Sequence, residues 1–417
     1  MPDKANFGVG NHRARAFRRG RGCVVAIPVK DEADRLTACL DALAAQRDSL
    51  GSPLVSGAFG VVIFANNCSD ASGALVRSLA PALPFPVRLT EASLPPAIAH
   101  AGGARRAAMD LAEAWLAESG KRNGAILTTD ADSRVSPDWI ARNLATIEAG
   151  ADAVLGRIVL DEEGRLLPAA LHRRGALENA YEVLLTELSA RLDPRDHNPW
   201  PHHATISGAT LAVTSEAYRR VGRLPRIPLG EDKAFVAQLV RHDARIRFCP
   251  GVEVTTSGRT NGRAPGGVAD TLRLRSQEPE AFCDEALEPL LVALRRAKWR
   301  GRLRRLQDSG RLGSDRRWAA SLGVTALDVR HAVSAQTFGA LWSAVEASSP
   351  ELRRRLLTPA QLPEQILRAE RILDRLRRLA PVGGSRLDAE DHPTIGTPDF
   401  PPPFDDANDG AASLVSG

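Results

Sequence analysis

Two short acidic stretches, Asp130-Ala131-Asp132 and Glu231-Asp232, are the residues best suited to chemistry in this chain. The first closes an apolar run, Ala125-Ile126-Leu127-Thr128-Thr129; the second opens an amphipathic one, Lys233 to Val240. Carboxylates at the end of a buried strand are costly unless a cation or a hydrogen-bonding ligand meets them there. Residues two apart on an extended segment point the same way, so Asp130 and Asp132 can face one ligand. Their hard oxygens suit Mg²⁺ or Mn²⁺, ions that also take phosphate oxygens and water. The later pair can supply a base, with Gly230 letting the backbone turn into it. Together they describe a site that holds a metal-bound diphosphate and activates a hydroxyl. Each stretch also reads, locally, as favourable charge at the start of the helix that follows it.

The elements that must position these groups are legible in the apolar pattern. Cys23 to Val29 is a continuous apolar run, too short for a helix and suited to a buried parallel strand. Asp31 to Gln46 places Leu36, Leu40 and Leu43 on one helical face. Val61-Val62-Ile63-Phe64 is a second strand and ends in the polar turn Asn66-Asn67-Cys68-Ser69-Asp70; a helix through Leu75 and Leu79 follows. Val87 to Thr90 is a third strand, Ala104 to Glu118 a helix with Ala108, Leu111 and Trp115 on one stripe, and Ala125 to Thr129 a fourth strand. Ser136-Pro137 reads as an N-cap with proline in the first helical turn, and Ala153 to Ile158 as a further strand. This alternation predicts an α/β fold: a doubly wound, mostly parallel sheet with helices on both faces. Ligands bind such sheets at the carboxyl ends of the strands.

Beyond that point the pattern predicts a helix over 168–192, a loop over 193–203, a strand from Thr205 to Val213 and a helix from Glu231 to His242. Arg245 to Phe248 and Val252 to Thr255 read as short strands, and a glycine-rich loop spans Ser257 to Gly267. The chain divides into a flexible basic arm (1–21), a main domain (22–277), an arginine-rich C-terminal helical extension (278–380) and a disordered Pro-, Gly- and Asp-rich tail (381–417).

Composition narrows the function classes. With 43% hydrophobic and 25% charged residues the chain is ordinary for a folded protein, and no apolar run reaches the ~18 to 20 residues needed to span a bilayer. Arg13, Arg15, Arg18, Arg19 and Arg21 precede no stretch of signal-peptide length, so a cytoplasmic enzyme is expected. The five cysteines are scattered and lack any CxxC, which argues for reduced, packed thiols and against a zinc site. A net charge of +5 with 5% aromatics and no recognition motif points away from nucleic acid.

Three further segments draw attention. Ser257 to Gly267 combines glycines with Arg259 and Arg263, and is expected to fold over a bound diphosphate through one of them. His197-Asn198-Pro199-Trp200-Pro201-His202-His203 suits a structural loop better than metal ligands, with Trp200 as a stacking wall for a sugar the alternative. Residues 283–306 set leucines beside arginines; such a helix docks on its own domain or lies on an anionic membrane surface as a peripheral contact. The helix from Pro363 to Leu379 is expected to pack against it.

Ile27-Pro28-Val29-Lys30-Asp31-Glu32, the Asn66-to-Asp70 turn, Gly102-Gly103-Ala104-Arg105, Asp130-Ala131-Asp132 and Gly230-Glu231-Asp232 occur in an order and spacing that resembles the family 2 glycosyltransferases. The resemblance covers roughly residues 22 to 270 and is specific as a set. It implies an inverting enzyme of GT-A fold, of the hexosyltransferase class, with a nucleotide-sugar donor, Mg²⁺ or Mn²⁺, and an acceptor hydroxyl. Carried over, Pro28 and Glu32 would border the nucleotide, the Asn66 turn would face the base, and Arg105 would lie near the nucleotide. Asp130 would contact the ribose or the metal shell, Asp132 would ligate the metal, and Asp232, with Glu231 second, would be the general base. Two departures stand out: the base-reading turn of the family usually starts with an aspartate, where this chain has Asn66, and its late metal-binding histidine is replaced by Glu253, Thr255, Thr256 and Ser257.

Two other functions compete. A sugar-phosphate nucleotidyltransferase shares a similar sheet but normally carries a glycine-rich basic loop after the first strand, which Val29-Lys30-Asp31-Glu32 lacks. A non-catalytic nucleotide-binding or scaffold protein of the same fold would not need carboxylates at all the expected places.

Overall fold

The computed structural model describes residues 22–262 and 266–379. The arm at 1–21, Arg263 and the tail from 381 lie outside the described residues. Eight strands form one mixed sheet: β1 (Cys23–Val29), β2 (Gly60–Asn66), β3 (Val87–Ala92), β4 (Ala125–Thr128), β5 (Arg134–Val135), β6 (Ala153–Leu160), β7 (Leu211–Thr214) and β8 (Ile246–Thr256), in the order β3-β2-β1-β4-β7-β6-β8-β5. The β3-β2-β1-β4 half is parallel, as is β6 with β8; β7 runs antiparallel to both β4 and β6, and β5 to β8.

The two-residue period of a strand sorts side chains between two cores. Val24, Ala26, Val62, Phe64 and Ile126 pack one face against Ala104, Ala108, Met109, Ala112 and Leu116 of helix Ala101–Glu118. Val25, Ile27, Val61, Ile63 and Leu127 pack the other against Leu36, Leu40 and Leu43 of helix Leu36–Ala44 and Trp139 and Ile140 of helix Trp139–Glu148. This is the mostly parallel α/β architecture expected, with helices on both faces.

Several local expectations are corrected. The strand expected from Thr205 shrinks to Leu211–Thr214 behind a 3₁₀ turn at Gly208–Thr210. The Gly208 backbone is committed elsewhere: its N–H donates to Asp232 and its carbonyl accepts from Arg105, which removes it from any ladder. The two strands expected at 245–255 are one, β8, which bulges between Phe248 and Glu253 opposite the Leu155–Arg157 step of β6. Ser136 is no N-cap; helix Trp139–Glu148 starts after Asp138, and the Ser136 carbonyl instead accepts from Gln46 and from the Trp139 N–H. Val268–Gln277, unassigned from sequence, is helical.

The extension is helical, with helices Leu290–Asp308, Arg317–Leu322, Ala326–Val333, Phe338–Ser348 and Leu362–Leu379. Trp318, Leu322, Leu341, Trp342 and Val345 centre a core of its own. Leu362–Leu379 lies chiefly along helix Ala169–Leu192, through Leu188, Leu362 and Leu373 and the Arg377–Glu187 pair at 2.9 Å, and meets the basic helix mainly through their shared cluster around Leu290. The basic helix begins at Leu290, later than the expected residue 283, because Pro289 is its N-cap. Its Arg296 is buried and paired with Glu288 at 2.6 Å, and Arg300 and Arg304 both reach Asp193, so much of its charge binds its own molecule. Among the described residues no helix is long and apolar enough to cross a membrane.

Candidate active site

Arg105 joins the two acidic stretches. It rises from the first turns of helix Ala101–Glu118, 6% exposed, and spends its guanidinium on four partners. Nη2 donates to Asp130 Oδ1 at 2.7 Å, Nε to Glu231 Oε1 at 3.1 Å, and Nη1 to the Gly208 carbonyl at 2.8 Å and Thr128 Oγ1 at 3.1 Å. The glycine at 208 is required: a Cβ there would lie 2.5 Å from Arg105 Cζ. Burial alone would weaken the Arg105 proton's hold, but Asp130 and Glu231 reverse that and raise its pKa further. The side chain is a buried cross-link between the end of β4 and the start of helix Glu231–Arg241.

That linkage separates the acidic pair. Glu231 is buried against Arg105, whereas Asp232 is half-exposed. Its Oδ2 accepts from the Gly208 N–H at 3.0 Å and its Oδ1 from the Lys233 N–H at 2.7 Å. Gly230, at φ +72°, supplies the left-handed turn that brings both residues in.

A second arginine bridges the other carboxylates. Arg259 Nη2 lies 2.6 Å from Glu32 Oε1 and 3.1 Å from Asp132 Oδ2, and its Nη1 lies 3.1 Å from Glu32 Oε2. Asp161, at the end of β6, holds the loop base by accepting from the Gly258 N–H at 3.0 Å. Burial, with Asp130 and Glu32 nearby, pushes the Asp132 carboxyl up to about 6, against the opposing charge of Arg259. One guanidinium thus meets the Glu32 and Asp132 carboxylates together.

The ends of β1 and β2 form the remaining wall. Asp31 and Asn67 both take left-handed backbone, at φ +53° and +51°, which short polar side chains tolerate. Asp31 Oδ1 accepts from the N–H groups of Ser69 and Asp70, and Asp70 accepts from Ala33 and Ser72, so the two turns are stitched together. Burial alone would raise the Asp31 pKa, but the adjacent Lys30 and these bonds outweigh it and hold the carboxyl at about 2. Asp31, Cys68 and Asp70 place ligand atoms close together, but both carboxylates are already consumed by these turns. Pro28 is half-buried at the end of β1, facing Phe64. Asn66 is buried, and its Oδ1 has no partner, as is also true of Thr129 Oγ1 beside Asp130. Orphaned buried acceptors are uncommon, and one at the carboxyl edge of a parallel sheet is suited to a ligand donor.

The histidine loop is held against β8. Asn198 Oδ1 accepts from the Phe248 N–H at 3.0 Å, Arg247 donates to the Pro199 carbonyl at 2.7 Å, and Trp200 packs edge-on to His202, which adjoins Phe248. Burial lowers His203 to about 4. Gly208 and Thr128 were missed from sequence; an isolated glycine inside an apparent strand was the available sign of a close backbone approach.

Residues 24–206 match the model of Glycosyl transferase family 2. None of the curated proteins compared matches the chain. Among solved structures, S. aureus TarS 1-349 in complex with UDP-GlcNAc is 15% identical at a TM-score of 0.42, covering 86% of this chain and 92% of that one. Mannosyltransferase PcManGT from Pyrobaculum calidifontis, in complex with GDP-Man and Mn²⁺, is 16% identical at 0.39, covering 82% and 90%. The chain spans about a third of the longer TarS structure, 35% of its length, at a TM-score of 0.36. Scores this low establish no common fold, so the architecture rests on the strand order described above.

Proposed function

We propose, from the premise that residues 24–206 are a segment of glycosyl transferase family 2, that this protein moves a sugar from a nucleotide-sugar donor to an acceptor hydroxyl by a single inverting displacement. The observation that carries the proposal is the linkage of the acidic groups: Arg105 joins Asp130 to Glu231, Arg259 joins Glu32 to Asp132, and Gly208, whose carbonyl holds Arg105, gives its N–H to Asp232.

The donor set suits a divalent cation. Asp132 and Asp130 would hold it, together with oxygens of the diphosphate, and Arg259 already meets the demand for positive charge in its place. Bound there, such an ion would neutralise the leaving diphosphate as a Lewis acid. Arg259, released from Glu32 and Asp132 on donor binding, would turn its guanidinium to the diphosphate, with Arg263 as a second contact from the same loop. Asn66 Oδ1, buried and unpartnered, would accept a hydrogen bond from the base, and Pro28 and Glu32 would border the nucleotide.

Asp232 is the proposed base. Its carboxylate would take the acceptor's hydroxyl proton as that oxygen bonds to the anomeric carbon and the carbon–diphosphate bond breaks, its electron pair leaving with the diphosphate. Glu231 is unsuited to this role because Arg105 holds it buried.

Incubating the protein with UDP- and GDP-linked sugars and Mn²⁺, and measuring nucleotide release, tests the reading. Release that vanishes in Asp132→Asn supports it. Pyrophosphate release from a nucleoside triphosphate would select a nucleotidyltransferase, and donor binding without turnover would select a scaffold. For the loop, an Arg259→Ala, Arg263→Ala double variant with wild-type donor affinity would refute the diphosphate contact.

A further inference from the structure

At the far end of helix Glu231–Arg241 from Asp232, a cavity of about 380 Å³ opens between that helix, the 193–197 loop and the extension. Asp232 and Val240 lie eight residues apart on this helix, about 12 Å at ~1.5 Å per residue, so the cavity is separate from the acidic cleft. Arg195, His197, Arg304, Gln307, Asp243 and Phe338 are among its walls.

The hydrogen bonding beside it is uneven. One carboxylate, Asp193, 3% exposed, serves three guanidinium groups. Arg300 Nε sits 2.6 Å from its Oδ2, and Arg304 Nε 2.9 Å from its Oδ1. Arg195 is left a bond of 3.4 Å to the oxygen that Arg300 already holds, too long for a strong charge-assisted hydrogen bond. Among the described residues its guanidinium makes no other hydrogen bond. The other nearby acids, Asp243 and Asp308 on the wall and Asp196 beside it, make no hydrogen bond to Arg195. Both oxygens of Asp243 accept N–H groups at the start of helix Phe338–Ser348, each at 2.7 Å, and Asp196 and Asp308 are exposed to water. Burial and the two neighbouring arginines pull the Arg195 pKa down to about 10, as expected for a cation lacking a full partner. Gln307 Oε1, on the cavity wall, is buried with no partner; a turn of that amide presents its N–H₂ group instead. Arg304 stacks 3.9 Å over Phe338 and bonds Asp193 through Nε and Nη2, which leaves its Nη1 without a protein acceptor among the described residues.

We propose that this cavity is an anion site that takes a phosphate group between Arg195, Arg304 and Gln307. A free phosphate and a small phosphate ester share the chemistry, and the volume admits either.

Calorimetric titration of the full chain with inorganic phosphate and with glycerol 3-phosphate, at constant ionic strength and with a chelator to keep divalent cations out of the acidic cleft, tests it. Saturable binding of either probe is expected, weakened tenfold or more in Arg195→Gln and unchanged in Asp132→Asn. Phosphate alone binding would mark a free-anion site, and tighter ester binding an effector or substrate site. Because Arg195 is underpaired, Arg195→Gln should melt no lower than wild type in phosphate-free buffer, whereas a purely structural arginine would lower Tm. Gln307→Leu, which keeps all three arginines, gives an independent reading and should also weaken binding. No saturable binding of either probe, binding unaffected by both variants, or loss in Asp132→Asn would overturn the proposal.

Discussion

At the scale of single residues, two arginines divide the work. Arg105 is buried with every partner within 3.1 Å, so it fixes geometry; Arg259 is only partly buried, at the base of a loop, and on the proposed function it exchanges Asp132 for the diphosphate. Removing the buried one strands Glu231 without a partner. We expect Arg105→Met to destabilise the protein by about 3 kcal/mol, as breaking a buried ion pair does, and to abolish transfer, checked by thermal melting and nucleotide release. Arg259→Ala should act oppositely on the cation. With the guanidinium gone, Asp132 loses the cation 3.1 Å from it, so Mn²⁺ affinity, read by electron paramagnetic resonance, should rise several-fold while donor affinity falls. An Mn²⁺ affinity equal to or below wild type would show that Arg259 does not compete for the site. The carboxylates of this arrangement were legible in sequence because strand ends and helix starts are local features. Their arginine partners were not: 126 residues separate Arg105 from Glu231, and 227 separate Glu32 from Arg259, and no local pattern encodes such pairings.

At the scale of elements, legibility followed burial. β1, β2 and β4 are covered on both faces and read as unbroken apolar runs, so they were found nearly to the residue. β5 has two residues and only its pairing with β8 defines it. Thr205 to Val213 misled because its alternation is real while its backbone bonds go to Arg105 and Asp232. That commitment predicts an unusual sensitivity at Gly208. A methyl group there must displace a guanidinium pinned by four bonds, so Gly208→Ala should cost about 1–3 kcal/mol as overpacking does. It should also impair transfer beyond that loss of stability, because Asp232 would shift with the loop. Activity per folded molecule, measured well below the variant's Tm, separates the two effects; full activity would show that Arg105 can yield.

At the scale of the whole molecule, the extension is latched to the sheet-bearing part of the chain at Asp193, where helix Ala169–Leu192 ends and Arg300 and Arg304 of the basic helix converge. Close backbone approaches support the same junction: Gly301 meets the Leu192 carbonyl and Gly339 the Val240 carbonyl, at distances that admit no Cβ. The latch carries a pH dependence whose sign can be worked out. Burial alone would raise the Asp193 pKa, but the Arg304 hydrogen bond and the charges of Arg300 and Arg195 outweigh it and hold the carboxyl at about 2, against an ordinary value of 3.8. A carboxylate with a depressed folded pKa contributes stability that is complete above its unfolded pKa and is lost as pH falls through the folded value. The latch should therefore be fully engaged above about pH 5 and weaken between about pH 4 and pH 2, with a contribution of about 2 kcal/mol. Asp193→Asn tests this directly. Its Tm should fall below wild type at pH 7, and the gap should narrow as pH drops toward 3, because protonation removes from the wild type what the substitution has already removed. A gap independent of pH over that range would place the contribution of Asp193 in packing and not in charge.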